Sequence, residues 1–215
     1  MESSQVNKEN EKNLKRAKEI FKAYNGSSFG MWKDDVLEEF ESYLISEEEK
    51  ICWKNELRDE YINKLSEETN ELKSVHLLMD LESLVFNFKD EISYSTLIRY
   101  IKENINQFDS KNRIVIAGIL LDAVKSMDKD HKEQETYDFA MQILKDVCEQ
   151  PITYAEYRYY NGKIPSGLNE QVIKERARLI IEEGKEFWGE SSMKITVERL
   201  TTGIKKFLSV LKRKR

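Results

Sequence analysis

The sequence predicts an all-α protein of about nine helices, built as a helical bundle or as a short array of antiparallel helical hairpins. Three observations predict it. Apolar residues recur at steps of three and four from about Glu9 to Leu211. Only two prolines occur, Pro151 and Pro165, and they bracket the one segment without helical spacing. Charged residues make up 35% of the chain with few glycines, the composition of helices that carry charge on their outer faces.

The first helix carries Leu14, Ala17, Phe21 and Tyr24 on one face and stops at Asn25-Gly26. After the loop Gly26-Ser27-Ser28-Phe29-Gly30, in which Ser28 is the expected cap, a second helix presents Val36, Leu37, Phe40 and Leu44. Ser46 followed by Glu49 is a capping box, so a third helix starts there and shows Trp53, Leu57, Tyr61 and Leu65. These three helices make an acidic N-terminal subdomain, residues 1–68. Thirteen acids face five bases between Lys33 and Glu68.

The rest, residues 69–215, reads as a larger helical domain. Its helices recur about every 20 residues, at Leu77, Leu97, Ile116 and Phe139. That spacing suits HEAT-like hairpins, but no residue signature repeats, and an ordinary bundle gives the same pattern. The segment Ile114–Val124 is apolar nearly all round, which predicts a helix at the domain centre. Gly118 within it costs about 1 kcal/mol of helix propensity against alanine, and the expected reason is a neighbouring helix crossing close to the backbone. Pro151 ends the seventh helix, Asn161-Gly162 marks a turn, and Asn169 caps an eighth helix with Val172, Ile173 and Ile180 on its face. A ninth begins near Thr196 with Val197, Leu200, Ile204, Leu208 and Leu211.

A chain of 215 residues can bury a core without disulfides or metal. Cys52 and Cys148 lack C-x-x-C spacing, which predicts reduced, buried thiols and a cytoplasmic protein. The N-terminus is polar where a signal peptide needs an apolar stretch, and no apolar run approaches about 18 residues, so no transmembrane segment is expected. Net charge is −5, yet residues 203–215 hold six bases and no acid, leaving residues 1–202 at −11. An acidic body of that size repels phosphates, which disfavours nucleic acid as a partner.

Four motifs hold residue types that could carry chemistry. Gly26-Ser27-Ser28-Phe29-Gly30 matches the G-x-S-x-G elbow of hydrolases, but that elbow needs a strand entering and a helix leaving, and no such pattern exists here. Asp128, Asp130, His131, Glu133 and Glu135 gather carboxylates and an imidazole. Glu133 and Phe139 occupy the positions where a calcium loop needs glycine and a bidentate glutamate, so a solvated interhelical loop is expected. His76 and Asp80 stand one helical turn apart, but two ligands do not make a zinc site, and a partly buried, hydrogen-bonded His76 is expected. No metal and no cofactor are therefore assigned.

The fourth motif is the Tyr-rich loop, the candidate binding site: Tyr154, Tyr157, Arg158, Tyr159, Tyr160 and Lys163. Tyrosine pairs an apolar face with a polar tip at low entropic cost, a combination favoured at contact surfaces. The alternative is that these rings cover helix ends as local core. The tail residues Lys212, Arg213, Lys214 and Arg215 are a candidate anion contact, although bases also suit the C-terminal end of a helix dipole.

The expected function is a non-enzymatic protein-interaction or regulatory module, with another protein as partner and a homo-oligomer as a further option. The rival is a helical-bundle enzyme or small-ligand or metal binder whose polar groups come from different helices. A third reading is nucleic-acid or anionic-membrane contact through the basic tail.

Overall fold

The computed structural model describes residues 2–127, 133–159 and 161–189. Nine α-helices and no strands lie among them: α1 (Glu2–Ala23), α2 (Ser28–Lys33), α3 (Leu37–Ser42), α4 (Glu47–Glu67), α5 (Glu71–Phe88), α6 (Glu91–Asn104), α7 (Ser110–Met127), α8 (Gln134–Glu149) and α9 (Glu170–Gly189). Single 3-10 turns stand at Ile105–Gln107, Glu156–Arg158 and Ser166–Leu168. The all-α bundle is as the sequence predicts, although the helices are not the same nine. α2 buries a single side chain, Met31, and so shows no apolar period, and the helix expected from Thr196 lies outside the described residues.

Helix starts follow short polar caps. Ser46 Oγ accepts from Glu49 N (3.2 Å) while Glu49 Oε2 accepts from Ser46 N (3.0 Å), the reciprocal box that opens α4. Asn70, Asp90 and Asn169 cap α5, α6 and α9 by accepting from Lys73 N, Ser93 N and Val172 N. Each such cap is worth about 1 kcal/mol. Ser27, rather than Ser28, caps α2, with Oγ accepting from Gly30 N at 3.2 Å. The expected cap is off by one because Gly26 takes the left-handed turn (φ 68°) and Ser27 is the first extended residue after it.

One continuous core runs from Ala17, Ile20 and Phe21 on α1 to Ile173 and Ala177 on α9. Its centre is α7, which packs against α5, α6, α8 and α9, and this explains why its sequence is apolar nearly all round. Charge pairs give the helix directions. Lys18–Glu56 (2.7 Å) and Lys22–Glu60 (3.3 Å) align α1 parallel to α4. Glu71 meets Asn112 at the starts of α5 and α7, and Glu82 faces Asp122 further along both, so these two also run parallel. Cys148 Sγ near the end of α8 lies 3.7 Å from the Lys174 carbonyl near the start of α9, so α9 runs back along α8.

Between α4 and α6 sits a buried ion cluster. Asp90 accepts from Lys54 Nζ at 2.7 Å and lies 3.8 Å from Arg58 Nη1. Burial pushes its carboxyl up, but the bonds from Lys54 and Ser93 together outweigh that and hold it below the usual aspartate range.

Four local expectations are corrected. Gly118 has no close neighbour: a Cβ built there meets nothing within 4 Å. The tight approach is instead at Gly26, where a Cβ would stand 2.3 Å from Phe88 Cζ and 2.9 Å from the Phe21 ring. Leu44 takes φ 52° just past the end of α3 and is 89% exposed, so it leaves the apolar face assigned to it. Cys52 is exposed and Cys148 half-buried, both free thiols. His76 is exposed because the buried face of α5 is set by Val75, Leu78 and Leu81 beside it.

Candidate functional site

The Tyr-rich loop is clamped to the start of α7 by a buried polar network. Asp109 caps α7, accepting from Asn112 N at 2.8 Å, and its second oxygen accepts from Ala155 N at 3.1 Å. Arg158 Nε donates to that same oxygen, and Arg158 Nη2 reaches Asn112 Oδ1 at 2.5 Å. Asn112 Nδ2 then donates to Glu71 Oε1 and to the Tyr157 hydroxyl, both at 2.8 Å. Thr153 N donates to Ser110 Oγ (2.9 Å) and Ser110 N returns to the Thr153 carbonyl (3.2 Å). Arg158, Asp109, Ser110 and Asn112 are all buried, and each is hydrogen-bonded within this network.

This arrangement divides the residues that the sequence groups together. Arg158 is an anchor inside the loop, stacked 4.7 Å from the Tyr157 ring centroid, and is not a surface cation. Tyr154 is half-buried and meets Tyr159 edge-on at 6.1 Å. Tyr157 and Tyr159 are 44% and 45% exposed, and Lys163 is exposed. Tyr160 and the tail residues Lys212, Arg213, Lys214 and Arg215 lie outside the described residues, as do Asp128, Asp130 and His131 of the acidic loop. Burial raises the Tyr157 phenol above its ordinary value, partly offset by the Asn112 bond.

The second cluster stands at the other end of α5. Phe29 and Trp32, three residues apart on α2, are 71% and 63% exposed and pack on each other with ring centroids 5.8 Å apart. Their helix is fixed from beneath. Met31 is buried, the Ser27 cap orients the first turn, and Gly26 seats against Phe21 and Phe88. Asp34 and Asp35 follow Trp32 in the chain, Glu38 and Glu41 lie on α3, which packs beside α2, and all four are exposed, with Lys33 the one base among them. Asp35, Glu38 and Glu41 have no ion-pair partner among the described residues, whereas Tyr24 Oη donates to Asp34 at 3.1 Å and Glu39 is taken by Arg16. The result is a preorganised aromatic platform in a negative field.

From Glu71 at the loop to Phe88 under Gly26, α5 spans about 25 Å at 1.5 Å rise per residue, so two aromatic surfaces occupy opposite ends of one rigid rod. Midway, Glu82 on α5 faces Asp122 on α7 in a shallow groove with Phe86, Lys89 and Lys125. Burial, then the Asp122 charge, pushes the Glu82 carboxyl up to about 7. Asp80 is raised by burial and accepts from Asn25 Nδ2 at 3.3 Å. Asp80 thus braces the α1–α2 corner, one turn away from exposed His76.

Sequence reasoning missed the Phe29–Trp32 pair and the Glu82–Asp122 pair. The first had a signal, two large rings three residues apart next to glycine, but α2 itself was unseen. The second joins residues forty positions apart, which no local pattern reveals. Compared with family models, curated proteins and solved structures, the chain matches none of them.

Proposed function

We propose that the protein is an interaction module that grips a basic segment of a partner protein on the Phe29–Trp32 platform. The observation that carries this reading is the exposed, mutually packed ring pair on a helix whose base is locked into the core. Exposed aromatic pairs of this size are where binding free energy concentrates, because they lose little entropy on being covered. The unpaired Asp35, Glu38 and Glu41 select for basic partners by charge and speed encounter. The half-exposed rings of Tyr157 and Tyr159 supply a second surface at the other end of α5, held rigid by Arg158.

The test is affinity capture from cell extract with wild-type protein and with a Phe29→Ser/Trp32→Ser variant, after thermal melts show both folded. Proteins retained by the wild type and lost from the variant are expected, with enrichment for basic segments. Losing a hot-spot ring costs about 2 kcal/mol, or roughly thirty-fold in affinity. The same captured set from both proteins would remove the platform as the contact surface.

A further inference from the structure

The platform has a candidate occupant within this chain. Residues 196–215 carry Val197, Leu200, Ile204, Leu208 and Leu211 at helical steps, with Lys205, Lys206, Lys212, Arg213, Lys214 and Arg215 on the remaining positions. That is the chemistry the platform fits: an apolar stripe for Phe29 and Trp32, flanked by cations for Asp35, Glu38 and Glu41. The charges are complementary in sign, six bases in the tail against five acids and one base over residues 28–42, which span α2 and α3.

Connectivity permits the contact in cis. α9 runs back along α8, and α8 returns along α7, so α9 ends at the same end of the bundle as α7 and its parallel neighbour α5. The platform is seated at that end, where Phe88 underlies Gly26. Beyond Gly189 the chain has 26 further residues, which span up to about 85 Å when extended. A bundle of this size is about 40 Å across, so the reach is ample.

We propose that the basic apolar segment 196–215 docks on the Phe29–Trp32 platform of its own chain, occupying the surface until a competing basic segment displaces it. The proposal rests on the platform being a binding surface and adds an internal competitor that regulates it. Such a competitor acts at high effective concentration, so a free partner must outcompete a tethered segment.

The experiment is zero-length carbodiimide cross-linking of the full chain, read by mass spectrometry on an equal mixture of light and heavy-isotope protein at low concentration. Cross-links from Lys205, Lys206, Lys212 or Lys214 to Asp35, Glu38 or Glu41 are expected, with both ends carrying the same label. They should fall at least ten-fold in Phe29→Ser/Trp32→Ser, while the Lys18–Glu56 cross-link (2.7 Å apart) persists and reports an intact fold. Mixed-label pairs would replace the proposal with docking between two copies. Absence of these cross-links, or their persistence in the double variant, would overturn it.

A second variant separates this idea from the platform reading. Replacing Lys212, Arg213, Lys214 and Arg215 with Ser should raise capture of basic partners several-fold over the wild type. If partner capture depends on Phe29 and Trp32 but is unchanged or lowered by the tail variant, the platform stands and autoinhibition fails. If the cross-links form but capture never depends on the rings, the tail contact stands and the partner-binding reading fails.

Discussion

Arg158 lies buried against Asp109, the residue that caps α7, so one carboxylate both opens the central helix and holds the Tyr-rich loop to it. The loop is therefore part of the core's polar framework, and its half-exposed rings stand on a fixed base.

Replacing Arg158 with Ala removes the ion-pair partner of buried Asp109. Breaking one partner of a buried pair costs about 3–5 kcal/mol, and urea unfolding should show a loss of that size. Arg158→Ala combined with Asp109→Asn should lose less than the two single changes added together, since each removes the same contact. Strict additivity would mean that the pair is not coupled.

The two glycines with contrasting surroundings should respond in opposite directions. Gly118→Ala places a methyl where nothing lies within 4 Å and should raise stability by about 0.5–1 kcal/mol through helix propensity. Gly26→Ala forces a Cβ into Phe88 at φ 68° and should destabilise by more than 1 kcal/mol. Melting temperatures of the two variants check both signs.

Glu82 makes stability fall as pH rises. Its folded-state pKa of about 7 lies above the unfolded value of 4.5, so the native state binds more protons between them and loses stability across that window. The Glu82→Gln variant should match the wild type near pH 4 and become progressively more stable than it up to about pH 7. Thermal melts across that range test it, and a constant offset between the two proteins would show that the carboxyl is not titrating there.

Asp90 carries the opposite sign. Its folded-state pKa is held below the ordinary value, so the stability it contributes is present above about pH 4 and is lost as pH falls through the folded value. Asp90→Asn keeps the α6 cap but gives up the charge of the Lys54 bond. The variant should be less stable than the wild type at pH 7, and the gap should narrow in acid when followed by circular dichroism.

What the sequence by itself determined is local. Period, prolines and caps are properties of neighbouring residues, so the Ser46–Glu49 box, the Asn169 cap, the buried Trp53, Leu57, Tyr61 and Leu65 of α4 and the central α7 were all legible. Only the tertiary structure decided which way ambiguous side chains faced. Arg158 and Tyr157 are adjacent in the chain, yet one is buried and the other half-exposed, because Asp109 lies 49 positions from Arg158 and only folding brings it near. Glu82 and Asp122 face each other because α5 and α7 run parallel, and Phe29 and Trp32 form a platform because Met31 between them is the residue drawn into the core. Helical spacing states which residues share a face, but burial depends on what the rest of the chain places against it.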